Sequence, residues 1–384
     1  MKTTKGYVGE EKRGGKVYLF ARFDYTDPNG VRRSIKRRVK TRTEGNRLLP
    51  KMILKAQESG ATSLDADKMT VHQFLQDHWL PLAKQRLSRR SHHDYESVIL
   101  RYIKHSAVGK AHLSKLKHIQ IQSLYSDMLG RGLSAGTVRF THAVLSQSLK
   151  HALKLNMIRT NPATLVQLPK HVKREMQSFS LDESKQFLAA AESDKYGLVF
   201  LVALHSGMRP EEYLALRWSD VDFANNRITV QRIVSYIRDG DGFYFDTPKT
   251  PKSRRSIPLP GSVMAKLGEH RKAQLEHRLK RGAAYHNDDL IFATDKGAPL
   301  ELHNLRLRHF KPILKRAGLS ESFRLYDLRH ACATLLLLAG ENPKIVSERL
   351  GHASIVMTLD TYSHVLPGMQ QGATDSLDRM LALG

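Results

Sequence analysis

Near the end of the chain, TLDTYSHVLP (residues 358–367) holds a single tyrosine, Tyr362, shortly after the histidine of LGHAS, His352. A phenol can pack in a core or attack an electrophile, and its neighbours decide which. Three further stretches put cations where an anion would need them. In SGMRPEEYLALRW (206–218) Arg209 lies between a glycine turn and Pro210. Proline suits the first helical position, so Arg209 stands at a helix start where a guanidinium and backbone N–H groups can meet one anion. In DTPKTPKSRRSIPL (246–259) Lys249 falls at the tip of a predicted hairpin among other cations, where a surface lysine and a lysine reaching into a ligand look alike. In LYDLRHACATLLL (325–337) Tyr326, Arg329 and His330 lead an apolar helix, and burying Arg329 there calls for a phosphate or a carboxylate beside it. Taken singly, tyrosines and histidines of this kind are usually core residues with satisfied polar atoms.

The elements that must position these residues follow from periodicity. Residues 1–60 predict a small β-rich unit: KVYLFARFDY alternates with period two, TDPNG marks a turn, and VRRSIKRRVK supplies the second strand of a hairpin. This segment carries sixteen Lys and Arg against six Asp and Glu. Its expected exposed face, Arg32, Arg33, Lys36, Arg37, Arg38 and Lys40, suits a groove-reading β-ribbon as well as a solvated strand. After a polar linker at 60–68, four helices are expected. The first follows a Thr70 cap with Val71, Phe74, Leu75, Trp79 and Leu82 on one face; the second follows Ser91, with Tyr95, Val98 and Tyr102. Ile121, Leu124, Tyr125 and Met128 mark a third that ends at the glycines of LGRG, and a fourth follows Ser134. Cations on the polar faces, among them Arg89, Arg90 and Arg139, fit a bundle that grips phosphates, or a plain structural bundle. A proline-containing basic stretch at 160–176 forms a second linker, and SLDE (180–183) is a capping box that opens a mixed region of helices, a hairpin around DGDG, a short SIPL strand and mostly helix from Pro312 onward.

At 384 residues the chain exceeds one compact core, and its net charge of +25 points to a polyanionic partner, nucleic acid above all. One cysteine, Cys332, excludes an internal disulfide and any Cys-x-x-Cys zinc site, and the apolar run LLLLAG is far too short to span a bilayer. The expectation is a soluble, intracellular protein.

In this order, the arginine, lysine, arginine, histidine and tyrosine boxes closely resemble the constellation of the tyrosine recombinase family, in particular the phage and mobile-element integrases. The resemblance implies a multidomain α+β fold: an arm-type DNA-binding domain (1–60), a helical core-site DNA-binding domain (69–165) and a mixed, mainly helical catalytic domain with a small sheet and a C-terminal tail (178–384). It implies catalytic roles for Arg209, Lys249, Tyr326, Arg329, His352 and Tyr362, with Glu212 and His330 in support. Where the family usually has histidine three residues before the second arginine, this chain has Tyr326; a phenol donates a hydrogen bond to phosphate but is a poor proton shuttle near neutrality.

The implied chemistry is attack of the Tyr362 hydroxyl on a DNA phosphodiester. It gives a 3′-phosphotyrosyl bond and a free 5′-hydroxyl, and needs neither ATP nor a metal ion. Reversal with a partner strand exchanges DNA through a four-way junction, which requires four sites and hence a homotetramer on two duplexes. Integration, and excision with an excisionase or a host DNA-bending protein, follow as expectations. A dimer-resolving recombinase, a type IB topoisomerase-like enzyme and a catalytically silent DNA-binding regulator of the same fold are the alternatives. In the tail, Ala373, Leu377, Met380 and Leu381 have helical spacing that fits docking on a neighbour or on the parent domain.

Overall fold

In the computed structural model, the described residues are 6–26, 32–59, 68–170, 177–238, 240, 242–248, 250–362, 374 and 378–381. The chain divides into two compact units, Met1–Lys173 and Arg174–Gly384.

The first unit begins with an antiparallel sheet in the order β1 (Tyr7–Arg13), β2 (Lys16–Thr26), β3 (Arg32–Val39), followed by the helix α1 (Arg42–Ser59). The alternation in β2 is real: Ala21, Phe23 and Tyr25 are buried and form a core with Val39 of β3 and Met52 of α1. β1 and α1 were not expected from the sequence, which indicated a two-stranded hairpin; Gly45 and Pro50 within α1 read as punctuation. The register also corrects the cationic face. Phe20 pairs with Arg38, Arg22 with Lys36 and Thr26 with Arg32, whereas Arg37 pairs with the fully buried Ala21 and position 33 with Tyr25. Directly opposed residues share a face, so Arg32, Lys36 and Arg38 lie on the open side and Arg37 on the covered one. Lys40 lies past the strand, its backbone N–H donating to Glu44 Oε2 at 2.7 Å. On the open side Arg38 stacks 3.7 Å above the Tyr18 ring and Lys36 sits 4.0 Å above Phe20. These rings hold cations that would otherwise wander in solvent.

Residues 68–170 build a helical bundle from α2 (71–84), α3 (89–103), α4 (Ala107–Lys110), α5 (His118–Gly130) and α6 (Ala135–Lys154). Thr70 caps α2 through a capping box with Gln73, and Ser134 caps α6. For α3 the cap is Ser88, not Ser91, which instead donates its backbone N–H to Ser88 Oγ at 3.2 Å. The core takes the expected Val71, Phe74, Leu75, Trp79, Ile121, Leu124, Tyr125 and Met128, joined by Val138, Leu145 and Leu149 of α6. Leu82, expected among them, is exposed. Arg90 pairs with Asp94 at 3.1 Å and Arg139 Nη1 donates to the Pro169 carbonyl at 3.2 Å, while Arg89 is exposed at the start of α3.

The second unit opens with α7 (Leu181–Ala191) after the Ser180–Glu183 capping box, then α8 (Gly197–Ser206) and the one-turn α9 (Pro210–Tyr213). A three-stranded sheet joins β4 (Val221–Asp222), β5 (Arg227–Val230) and β8 (Arg255–Pro258), and β6 (Ile233–Ile237) pairs with β7 (Gly242–Asp246) as a separate hairpin. Helices α10 (Gly261–Arg281), α11 (302–316), α12 (Asp327–Leu338), α13 (Pro343–Leu350) and α14 (Ile355–Tyr362) complete it. Its core runs from Phe187 and Phe200 through Ile228, Ile257 and Phe310 to Leu328 and Ala331. Buried Phe residues dominate its aromatic contacts, with Phe179 and Phe323 stacked at 4.1 Å. Of the tail residues, Ala373 and Leu377 lie outside the described residues; Met380 and Leu381 are exposed. Among the described residues no helix is long and apolar enough to cross a membrane.

Candidate active site

Residues far apart in sequence meet where the end of α8, the turn into α9, the start of α12 and the turn between α13 and α14 converge. The C-cap of α8 is Gly207, with φ of 66°, and a Cβ there would lie 2.8 Å from Leu350 Cδ2. Only glycine fits both the left-handed backbone and the crowding. This turn aims the Gly207 carbonyl at α12, where it accepts a hydrogen bond from Arg329 Nη1 at 2.8 Å.

Arg209 is the N-cap of α9 and Pro210 takes the first helical position, as expected. The anion at this helix start is the protein's own Glu212, not an external group. Glu212 Oε2 accepts from the Arg209 backbone N–H at 3.0 Å, and Oε1 accepts from Arg209 Nη1 at 2.8 Å. Glu212 is buried and also receives Arg255 Nη2 at 2.9 Å on Oε2. Burial alone would raise its carboxyl, but the Arg255 charge and hydrogen bond, with those of Arg209, bring it below the usual range. Glu212 is therefore a carboxylate shared between two guanidinium groups.

Arg329 is 2% exposed, and its Nη2 is buried with no hydrogen-bond partner. Of the two partners the sequence allowed, a phosphate or a carboxylate, no carboxylate among the described residues is hydrogen-bonded to it, and its bond runs to the Gly207 carbonyl. Burial first, and then repulsion from Arg209, lower its pKa to about 10. Three guanidinium groups against one carboxylate leave this region with a net charge of +2, and one buried donor stands open. A buried cationic donor without a partner is costly, and it is the arrangement an anionic ligand completes.

Around this cluster lie the remaining side chains. The Tyr326 phenol is beside the Arg209 guanidinium, within its hydrogen-bonding and electrostatic reach, and 37% of the residue is exposed. The Tyr326 and His330 rings meet edge to face at 5.2 Å, and the His330 and Tyr362 centroids are 5.8 Å apart. His330 Nδ1 and the Tyr362 hydroxyl are hydrogen-bonded at 2.8 Å. Tyr362 is buried, and burial raises its phenol well above the ordinary range even though Arg329 pulls the other way. His352 follows Gly351, the left-handed C-cap of α13, and its Nδ1 bonds Thr358 Oγ1 at 2.8 Å. Burial, and then the charges of Arg329, Arg209 and Arg255, push its pKa down to about 4. His330 is likewise held to about 4, chiefly by burial. Both imidazoles are neutral near pH 7 and serve as hydrogen-bonding groups.

Lys249 lies outside the described residues. The segment that follows it is tied to the His352 turn, because Lys252 Nζ donates to the Ala353 carbonyl at 2.7 Å. Arg255 was missed in the sequence, although it had a signal: within SRRSIPL it shares the inward register of the buried Ile257. The arrangement can bind a phosphate oxygen at Arg329 Nη2, neutralise charge that builds on it, and present a phenol and two neutral imidazoles in the same electrostatic field.

The model of the phage integrase family matches residues 177–368. A protein of Caldanaerobacter subterraneus subsp. tengcongensis described as "Tyrosine recombinase XerC-like" is 33% identical over 300 residues, covering 74% of this chain and 76% of its own. The ICEBs1 integrase of Bacillus subtilis is 28% identical over 275 residues, 71% of this chain and 73% of its own. Among solved structures, the Tn1549 transposon integrase in complex with a circular intermediate DNA has a TM-score of 0.67 at 22% identity, covering 80% of this chain and 99% of that one, and so shares the fold. With that fold and those relatives, the chain belongs to the phage integrase family and is a tyrosine-type site-specific recombinase.

Proposed function

We propose that this recombinase is the integrase of a phage or other mobile element, cleaving and rejoining double-stranded DNA through a 3′-phosphotyrosyl intermediate at Tyr362. The observation that carries the reading is the buried, open Nη2 of Arg329 in a cluster of net charge +2 that also reaches Tyr362. Arg209 and Arg329 clamp the non-bridging oxygens of the scissile phosphate, and His352 adds a donor. The Tyr362 oxygen forms a bond to phosphorus as the bond to the 5′ oxygen breaks; Lys249 gives that leaving oxygen its proton, and His330 Nδ1 is an acceptor for the phenol's proton. Rejoining is the reverse, so bond energy is conserved. Tyr326 adds a hydrogen bond to phosphate beside Arg209 and takes no part in proton shuttling. Because the Tyr362 phenol is shielded in the free chain, DNA must open this end of the unit before attack.

Residues 1–60 are assigned to arm-type sites, with Arg32, Lys36 and Arg38 on the reading face. Residues 69–165 are assigned to the core site, with Arg89, Arg90 and Arg139 toward the backbone, and residues 178–384 to catalysis. Exchange of four strands needs four such sites, hence a homotetramer on two duplexes. Excision draws on an excisionase or a host DNA-bending protein, and the setting is the cytoplasm and nucleoid of a bacterial cell. The basic three-stranded unit ahead of the bundle supports an integrase over a simple dimer resolvase.

The test is a nicked suicide duplex carrying the element's own core attachment site, incubated with the full chain and with Tyr362→Phe. The wild type is expected to form a covalent adduct that maps to Tyr362, and the variant to bind DNA without one. Cleavage or recombination by the variant overturns the assignment.

A further inference from the structure

Arg255 is as much a part of the cationic cluster as Arg209 and Arg329, yet its donors point elsewhere. It opens β8, its side chain is 7% exposed, and each of its three nitrogens is engaged within the protein. Nη2 donates to Glu212 Oε2 at 2.9 Å, Nε to the Arg349 carbonyl at 2.5 Å and Nη1 to the Ser253 carbonyl at 2.9 Å. Every one of its nitrogens thus has a partner inside the protein. The Arg349 carbonyl belongs to the last turn of α13, just ahead of Gly351 and His352. Gly351 has φ of 67°, and a Cβ on it would sit 3.0 Å from Arg255 Nη1 and 3.1 Å from Arg255 Cδ. The side chain of Arg255 thus fills the space under the His352 turn.

The consequence concerns Glu212. Its two oxygens are divided: Oε1 goes to the Arg209 side chain, and Oε2 to Arg255 and to the Arg209 backbone. An arginine and a carboxylate left to themselves pair as a two-pronged fork that uses two donors of the guanidinium. Here the Arg209 side chain meets Glu212 through Nη1 alone. We propose that Arg255 is a positioning residue: by engaging Glu212 Oε2 it keeps the carboxylate from closing that fork, so that Arg209 retains donors for phosphate, and by engaging the Arg349 carbonyl it sets the His352 turn. This rests on the reading of Arg209 and His352 as phosphate-binding groups. Without Arg255, Glu212 becomes a full counter-charge to Arg209, and the cluster falls from +2 to +1.

The experiment uses the full chain and a suicide duplex with the core site, and measures the single-turnover rate of Tyr362 adduct formation separately from the Kd for DNA. Arg255→Met is expected to slow adduct formation by about 100-fold, the scale of losing one preorganised donor, with the Kd changed by less than about 3-fold. Arg255→Lys, which keeps a charge beside Glu212, restores part of the rate. The decisive comparison is Glu212→Gln in the two backgrounds. It should slow the wild type but spare or speed the Arg255→Met chain, because there it removes the carboxylate that captures Arg209. If Glu212→Gln costs the same factor in both backgrounds, or if Arg255→Met cleaves at the wild-type rate, the proposal is overturned. Should Arg255→Met fail to fold, Arg255→Lys with and without Glu212→Gln carries the same comparison, and equal factors overturn it equally. A wild-type chain that forms no Tyr362 adduct overturns instead the functional reading beneath it, so the two failures are distinct.

Discussion

The sharpest consequence of the site is that Arg329 burdens the free protein. Its guanidinium is 2% exposed, one nitrogen donates to a carbonyl, another is buried without a partner, and two further guanidinium groups lie in the same field. Burial first, and then Arg209, bring its pKa from 12.5 to about 10, which sets the scale of the penalty on the charged form. At about 1.4 kcal/mol per tenfold change, that is roughly 3 kcal/mol. Arg329→Met keeps most of the buried volume and removes the charge. It also leaves the Gly207 carbonyl without its donor, which costs about 1 to 3 kcal/mol. The balance lies between no change and a gain of ~2 kcal/mol, where an ordinary large buried side chain would lose several on replacement.

The assay is calorimetric unfolding of the full chain with and without core-site DNA, followed through the transition of the second unit. For a unit of this size ~1 kcal/mol moves the midpoint by about 2–4 °C. Free Arg329→Met should melt at or above the wild type, gain less from DNA, and form the Tyr362 adduct at least ~100-fold more slowly. A midpoint lowered by more than about 5 °C, beyond a loss of ~2 kcal/mol, would show that the guanidinium holds the fold together, and the idea of a slot kept open for phosphate would then be wrong.

Two other outcomes can be checked with simple titrations. His330 and His352 are each held at about 4 in the folded chain against an ordinary 6.5, so the unfolded chain binds protons between those values that the folded chain does not. Their contribution is complete above pH 6.5 and is lost as pH falls toward 4; the thermal midpoint of the second unit should fall between pH 6.5 and 5, less steeply in His352→Gln. On the sheet, Lys36→Ala and Arg38→Ala should each weaken arm-site binding and reduce its salt slope by about 1, measured by fluorescence anisotropy at several salt concentrations, whereas Arg37→Ala should leave the slope nearly unchanged.

How much of this was legible in the sequence depends on whether one chain segment held the whole signal. The strand at 16–25 was, because one of its faces is buried and period two follows from that alone. The caps at Thr70, Ser134 and Ser180 were, because a cap and its partner lie three residues apart. The helix at 42–59 was not, since Gly45 and Pro50 interrupt its pattern and its stability comes from packing on the sheet. The cationic face of β3 was misread for a related reason. In VRRSIKRRVK the paired arginines make every position look basic, and only the register against β2 separates Arg38 from Arg37.

The site divides along the same line. Arg209, Arg329, His352 and Tyr362 could be named from their boxes, but their differences in state could not. Arg255 and Arg329 are both buried guanidinium groups in one cluster, and neither the residue type nor its neighbours in sequence says which of them waits for a ligand. What separates them is the count of satisfied donors. Arg255 spends its three nitrogens on a carboxylate and two carbonyls, so it shares the Glu212 counter-charge and its position is fixed. Arg329 spends one on a carbonyl and keeps Nη2 open, so its charge is paid for only when an anion arrives. The partners that decide it are remote in sequence, Gly207 lying 122 residues from Arg329, and the Arg349 carbonyl and Glu212 lying 94 and 43 residues from Arg255, so the distinction exists only once the second unit has folded. Arg255, with each nitrogen partnered inside the protein, is scaffold; Arg329, 2% exposed, with Nη2 open and one carboxylate shared among three guanidinium groups, is a binding site that folding has left unfinished, and DNA is the polyanion that matches it.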